Sequence, residues 1–154
     1  IKACIGNGGV YDMSRNFTTK MPESILKLLD TDPKNFDFII LQAAQNNTTL
    51  RWNLYHGQWA FGVDTPSEYI KLLFSYNLKK DTGKIKCNML VIDSSSDQLM
   101  KGQAKLLYNA LNCPKEYHLF TDENAAQLHC QIGAVSYSNA VMFNWLDKVL
   151  NHRN

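Results

Sequence analysis

The sequence predicts an α/β fold of about three parallel strands with flanking helices and an inserted helical cap. Three short apolar runs, near residues 2–5, 89–93 and 116–121, are typical of strands buried in a parallel sheet. Apolar residues recur at helical spacing from Ala104 to Leu111, so one amphipathic helix joins the second run to the third. Residues 13–80 show helical spacing almost throughout, which is far more chain than one crossover between parallel strands needs.

A glycine-rich turn, Gly6-Asn7-Gly8-Gly9, follows the first predicted strand. Such a turn can hold the phosphates of a dinucleotide when it has the form G-x-G-x-x-G and opens a helix. Here Tyr11 stands at the position of the third glycine, and no strong amphipathic helix follows at once. We therefore expect a structural tight turn, with nucleotide binding as the alternative.

Three or four helices are predicted between the first strand and the second. Asp32 before Pro33 is typical of a helix start, and Thr65 with Glu68 forms a capping box. The predicted helices begin near residues 22, 33, 50 and 66. Because a simple crossover needs one helix, the surplus predicts a cap of about residues 13–80 over the carboxyl edge of the sheet.

The third of these helices is unusually rich in aromatic side chains. Trp52, His56, Trp59 and Phe61 lie close together in the sequence, with Tyr55 among them. Two interpretations are open, the hydrophobic core of the cap or the wall of a substrate pocket. On the pocket interpretation, Trp52, His56, Trp59 and Phe61 are candidate substrate contacts.

A long amphipathic helix closes the chain. Its predicted buried face includes Val135, Trp145 and Leu150, and residues 151–154 form a polar tail that we expect to fray.

An acidic residue and a histidine follow two consecutive predicted strands. Asp97 ends the polar turn after the second strand, and the loop after the third strand leads to His129. Since sites in open parallel sheets lie at the carboxyl ends of the strands, we expect these two side chains to meet at about 2.6–3.2 Å. A carboxylate that orients an imidazole supplies two members of a nucleophilic triad. As alternatives, Asp97 could cap the following helix and His129 could be an ordinary loop residue.

The composition excludes several other classes of protein. Hydrophobic content of 45% and charged content of 19% are ordinary for a globular domain, and a net charge of +2 is too small to indicate nucleic acid or a membrane surface. No apolar run approaches the ~18 residues of a membrane span. Four cysteines without C-x-x-C spacing predict reduced thiols in a cytoplasmic protein with no metal or other cofactor. Cys130, beside His129, is an alternative nucleophile.

Two segments resemble a known family. Residues 93–105 are similar to the acid turn of the α/β-hydrolase superfamily, in the branch of acylaminoacyl-peptidase-like, FrsA-like and pseudooxynicotine-hydrolase-like proteins. Residues 120–131 resemble the same branch's F-[ST]-x-E-x-GA-x-x-HCQ segment, which delivers the histidine. Ser94 stands where the branch usually has glycine, and Lys101 where it usually has proline. The resemblance extends over nearly the whole chain.

The resemblance implies a serine hydrolase in which Asp97 is the orienting acid and His129 the base. The substrate would be a small molecule or a peptide, and the bond an ester, an amide or a C–C bond. No G-x-S-x-G elbow occurs in the sequence, and the family order of Ser, Asp and His places the nucleophile before Ile1. The chain then corresponds to the C-terminal portion of an α/β-hydrolase fold. A non-catalytic α/β-hydrolase-like binding or interaction module is the alternative.

The resemblance also implies that the first strand lacks one neighbour. The chain opens at Ile1 rather than Met, directly on a strand, which predicts a fragment or a processed product. An unpaired strand edge invites pairing with another chain. We therefore expect the missing N-terminal half of the same protein, or another copy of the chain, to cover this edge. Alone, the chain is expected to be inactive and prone to aggregate.

Overall fold

The structure, a computed structural model, describes residues 1–151. Its described part contains a parallel sheet of three strands, β1 at Ala3–Asn7, β2 at Asn88–Ser94 and β3 at Lys115–Phe120, in the order β1-β2-β3. The predicted fold class, three parallel strands with flanking helices, is confirmed. Of the predicted polar tail, residues 152–154 lie outside the described residues.

β1 is longer than the sequence predicts, because half of the expected glycine-rich turn belongs to the strand. Gly6 and Asn7 pair in register with β2. The turn that remains includes Gly9, whose φ is +48°. A Cβ at Gly9 would lie 2.7 Å from the Cα of Ala104, so only glycine allows the backbone to approach this closely. Packing therefore accounts for this glycine without a bound phosphate.

The chain divides into two compact units. One combines Ile1–Asp12 with the chain from Asn77 onward and contains the sheet, whereas the other, Met13–Tyr76, is built from helices. The helices of the second unit are α1 (Arg15–Thr18), α2 (Glu23–Thr31), α3 (Pro33–Gln45), α4 (Thr48–Phe61) and α5 (Pro66–Ser75). This unit corresponds in position to the insertion predicted at about residues 13–80, and its role as a cap stays a prediction.

Side-chain caps explain where the helices of this unit begin. The Asp32 carboxylate accepts a hydrogen bond from the backbone N–H of Asn35 at the start of α3, as the sequence predicts. At α5 the Thr65 hydroxyl accepts from the backbone N–H of Glu68, and the Glu68 carboxylate accepts from that of Thr65. α4 begins two residues before the predicted start at residue 50, because the side chain of Asn47 caps it.

Each unit has its own hydrophobic core. The helical unit buries residues of α3, α4 and α5, among them Phe36, Leu54 and Ile70. The sheet unit adds α6 (Gln103–Ala110) and α7 (Val135–Leu150), and side chains of β2 alternate between these helices. Val91 packs on the α6 side, and Ile92 on the α7 side. No helix within residues 1–151 is long and apolar enough to cross a lipid bilayer.

Candidate active site

Asp97 is held by the turn that follows β2. One of its carboxylate oxygens, Oδ1, accepts hydrogen bonds from the backbone N–H groups of Leu99 at 2.8 Å and Met100 at 3.0 Å. The backbone N–H of Asp97 donates to the carbonyl of Ser94, the last residue of β2, at 3.0 Å. The side chain is almost completely buried, with 3% of its surface exposed. These contacts leave the second oxygen, Oδ2, to face one further partner.

That partner is His129, which arrives on the loop after β3. Two backbone hydrogen bonds tie this loop to the turn after β2, from Ser95 N–H to the Phe120 carbonyl at 3.0 Å and from Ser96 N–H to the Gln127 carbonyl at 2.9 Å. The His129 Nδ1 atom lies 2.8 Å from Asp97 Oδ2. The hydrogen bond expected between these two side chains is therefore present, while their catalytic role stays a prediction.

The surroundings of Asp97 keep its carboxylate ionised. Burial acts against the charged form and by itself would raise the pKa. Hydrogen bonds from His129 and from the backbone of Met100 and Leu99 act in the opposite direction, and the net result is a pKa below the ordinary value for aspartate. An ionised carboxylate only accepts hydrogen bonds, so the shared proton belongs to His129 Nδ1.

This tautomer has a direct chemical consequence. When a neutral imidazole carries its proton on Nδ1, Nε2 keeps its lone pair and can accept a proton. The His129 side chain is 32% exposed, so the ring is open to an approaching group while its Nδ1 side is held by the buried Asp97. The arrangement can therefore act as an oriented general base, as in the acid–histidine part of a nucleophilic triad.

Cys130, the alternative nucleophile, is exposed beside His129 in the chain. Its backbone lies in the left-handed region at φ 53°. The structure shows a hydrogen bond between the imidazole and Asp97, and Cys130 as nucleophile stays a prediction. Among residues 1–151 no cluster of three or more His, Cys, Asp or Glu side chains is arranged to hold a metal ion.

The four candidate pocket residues all lie on α4, in the helical unit, and so in a different unit from Asp97 and His129. Trp52 is 60% exposed, Trp59 is 80% exposed and Phe61 is 38% exposed. The His56 ring stacks on Trp52 with ring centroids 4.7 Å apart and planes at 12°. Interpretation as the core of the cap is wrong for Trp52, Tyr55 and Trp59, because α4 turns a different face, including Leu54 and Gly57, toward the core. Phe61 does pack against the buried Tyr69 of α5, with ring centroids 5.8 Å apart.

Sequence reasoning missed Gln131, a buried polar residue at the same sheet edge. Its side-chain amide donates hydrogen bonds to Asn7 Oδ1 and to Ser94 Oγ, each at 3.0 Å. The signal in the sequence was its place at the end of the HCQ segment that residues 120–131 resemble, and that match gave no indication that the side chain turns inward.

The chain is similar to several fungal proteins named as hydrolases, and no family model matches it. A hydrolase of Fusarium sp is 30% identical over 125 residues, which is 77% of this chain and 30% of the relative. 20-hydroxy-prefusarin hydrolase of Gibberella moniliformis is 26% identical over 96% of this chain and 38% of its own length. An α/β hydrolase of Aspergillus fumigatus is 26% identical over 96% of this chain and 37% of its own length.

The chain thus spans about a third of the length of the curated relatives it matches. These relatives support membership of the α/β-hydrolase superfamily, and the three parallel strands with their flanking helices form part of an α/β-hydrolase fold.

Proposed function

We propose that this chain is the part of a serine hydrolase that carries the orienting acid, Asp97, and the base, His129. The observation that carries the proposal is the 2.8 Å contact between His129 Nδ1 and Asp97 Oδ2, in which the His129 side chain remains 32% exposed. The nucleophile would be a serine elsewhere in the same polypeptide. The absence of a G-x-S-x-G elbow from these 154 residues and the family order of Ser, Asp and His support that placement.

The proposed mechanism follows from the tautomer of His129. Nε2 takes the proton from the serine hydroxyl as its oxygen attacks the carbonyl carbon of the substrate. Asp97 stays ionised and stabilises the imidazolium that forms. His129 then gives the proton to the leaving group as the acyl-enzyme appears, and a second cycle with water as the nucleophile releases the acid. No metal ion or cofactor takes part in these steps.

The sequence resemblance supports a narrower placement in the acylaminoacyl-peptidase-like, FrsA-like and pseudooxynicotine-hydrolase-like branch. Within that branch we propose hydrolysis of an ester, an amide or a C–C bond in a small molecule or a peptide. One relative is named for 20-hydroxy-prefusarin, which favours a small-molecule substrate. The exposed aromatic face of α4, formed by Trp52, His56, Trp59 and Phe61, would provide an apolar wall of the substrate pocket.

We further propose that another part of the same protein, or a second copy of the chain, covers the free edge of β1. In the sheet that the structure describes, β1 pairs only with β2. A cavity of about 730 Å³ lies along β1, lined mainly by apolar residues that include Ile1, Ile5, Leu78, Ile85 and Met89. An open strand edge beside an apolar cavity favours pairing with a further strand.

The four free cysteines give an indication of the cellular compartment of the protein. Cys4, Cys87, Cys113 and Cys130 form no disulfide. Free thiols are typical of reducing compartments, so we propose that the protein acts in the cytoplasm.

Ester hydrolysis by the full product of the gene tests the proposed function. We expect turnover of a nitrophenyl acetate or butyrate ester and covalent labelling of one serine by a fluorophosphonate. His129→Ala should lower kcat by several orders of magnitude, whereas His118→Gln in β3 should leave it nearly unchanged. Unaltered turnover in His129→Ala, at a melting temperature equal to that of the wild type, would exclude the proposed role. A protein that neither turns over esters nor reacts with fluorophosphonate would instead be a binding module.

A further inference from the structure

The side chain of Gln131 joins the carboxyl ends of all three strands. Asn7 is the last residue of β1, Ser94 is the last residue of β2, and Gln131 lies on the loop that follows β3. The Gln131 amide Nε2 donates to Asn7 Oδ1 and to Ser94 Oγ, each at 3.0 Å. Gln131 is only 1% exposed, and a buried amide of this kind destabilises the fold when its hydrogen bonds are lost.

The backbone immediately after His129 needs such an anchor. Cys130 and Gln131 both lie in the left-handed region, at φ 53° and 54°. Residues other than glycine are disfavoured in such a conformation and keep it only when their surroundings determine it. Without the side-chain anchor, this conformation next to His129 would be held by backbone hydrogen bonds, from Gln131 N–H to the Leu128 carbonyl at 2.9 Å and from Ala134 N–H to the Gln131 carbonyl at 3.0 Å.

Ser94 connects this anchor to the acid. Its carbonyl accepts the hydrogen bond from the backbone N–H of Asp97 at 3.0 Å, and its hydroxyl accepts the one from Gln131. One residue at the end of β2 therefore supports both the turn that holds the acid and the loop that holds the base.

We propose that Gln131 is a positioning residue that, through Ser94 and Asn7, holds His129 at hydrogen-bonding distance from Asp97. The inference rests on the proposed function for its effect on turnover, but its effect on the His129–Asp97 geometry can be measured without turnover. Displacement of a catalytic group by about 1 Å can slow a reaction by as much as about 100-fold. The consequence of losing Gln131 should therefore appear in kcat rather than in KM.

The test compares Gln131→Met with Gln127→Met in the full product of the gene. Methionine has a similar length but no N–H donor, and Gln127 lies on the same loop, two residues before His129. Gln131→Met should lower kcat for a nitrophenyl ester by about 10- to 100-fold with little change in KM, whereas Gln127→Met should stay within about twofold of the wild type. Ser94→Ala removes only the hydroxyl acceptor and should lower kcat in the same direction. The double variant should show less than the product of the two single effects, because both remove one interaction.

Proton NMR of the His129 ring gives a readout that does not depend on turnover. The Nδ1 proton held by Asp97 should give a low-field signal in the wild type and in Gln127→Met, and the signal should weaken or vanish in Gln131→Met. If the ester is not hydrolysed but the signal behaves as expected, the proposed function fails and the positioning role stands. A normal kcat and an unchanged signal in Gln131→Met would overturn the positioning role. If Gln131→Met does not fold, kcat and the NMR signal are measured on Ser94→Ala instead. Wild-type values of both in Ser94→Ala would overturn the positioning role.

Discussion

Two regions of this molecule depart from the usual rule that apolar side chains are buried and polar side chains are exposed. At the carboxyl end of the sheet, polar side chains are buried, since Gln131 is 1% exposed and Asp97 is 4% exposed. On α4 the reverse holds, since Trp52 is 60% exposed and Trp59 is 80% exposed. Burial of a polar group is unfavourable unless it is fully hydrogen-bonded, and exposure of a large aromatic side chain forgoes hydrophobic stabilisation. The two regions therefore depart in opposite directions from the usual burial of apolar and exposure of polar side chains.

The two regions differ in what holds their side chains in position. Asp97 and His129 are fixed by directional hydrogen bonds from the backbone and from each other, at distances of 2.8–3.0 Å. Trp52 and Trp59 contact His56 through their rings, with centroids 4.7 Å and 5.9 Å from the His56 ring. The first arrangement suits chemistry that requires a fixed proton position, and the second suits contact with an apolar ligand of variable shape.

The largest expected effect is that of Asp97→Asn on turnover. The introduced asparagine would present an amide to His129 and favour the wrong tautomer, so kcat should fall by about 10⁴-fold if the response matches that of serine-protease triads. Asp93→Asn, an identical change on β2, should have a small effect because Asp93 accepts a hydrogen bond from the Tyr117 hydroxyl instead. Steady-state ester kinetics measure both variants. Equal activities for the two variants would show that Asp97 matters no more for turnover than Asp93 on the strand.

A second experiment separates buried from exposed aromatic residues in the helical unit. Phe36 is fully buried, so Phe36→Ala should lower the free energy of unfolding by about 3–5 kcal/mol. Trp59→Ala should change it by no more than about 0.5 kcal/mol, because its side chain contributes little to the core. Urea unfolding of the full gene product gives both values. A loss above about 2 kcal/mol for Trp59→Ala would show that another part of the protein buries this residue.

A smaller effect is expected at Gly57 on the inner face of α4. A Cβ there would lie 2.1 Å from the ring of Tyr69, so α4 must move or the ring must turn. Alanine usually stabilises a helix relative to glycine, yet Gly57→Ala should destabilise the protein by about 1–3 kcal/mol through overpacking. Gly83→Ala, where no atom lies within 4 Å of the added Cβ, is the control. Equal melting temperatures for the two variants would contradict the close α4–α5 packing.

The smallest expected effect is a pH dependence from Asp97. Its pKa is lowered in the folded protein relative to about 3.9 in an unfolded chain, so the folded state binds this proton less readily. The stabilisation is therefore fully present above pH ~4–5 and is lost as pH falls through the folded pKa. The gap in unfolding free energy between wild type and Asp97→Asn should narrow on acidification from pH ~7. Two parallel profiles would mean that the hydrogen bonds to this carboxylate do not favour its charged form.

Local patterns account for what could be predicted correctly. The caps at Asp32 and Thr65 are encoded within four residues of chain, and apolar spacing predicts the long closing helix, α7. Its buried face was predicted less well, since Trp145 is 7% exposed but Val135 is 54% exposed. The approach of Asp97 to His129 was also predictable, because both follow neighbouring parallel strands at their carboxyl ends. The length of β1 could not be predicted, because Gly6 and Asn7 are extended by pairing with β2, a strand more than 80 residues away in sequence.

The sequence by itself therefore determined the elements, their class and the two side chains expected to meet, because these depend on periodicity, capping and chain order. Tertiary structure alone decided the direction in which individual side chains face. Glutamine at 131 and tryptophan at 59 have no local preference that makes the first buried and the second exposed. The burial of Gln131 depends on acceptors from β1 and β2, and the exposure of Trp59 depends on which face of α4 contacts Tyr69. Both are set by contacts between residues distant in sequence.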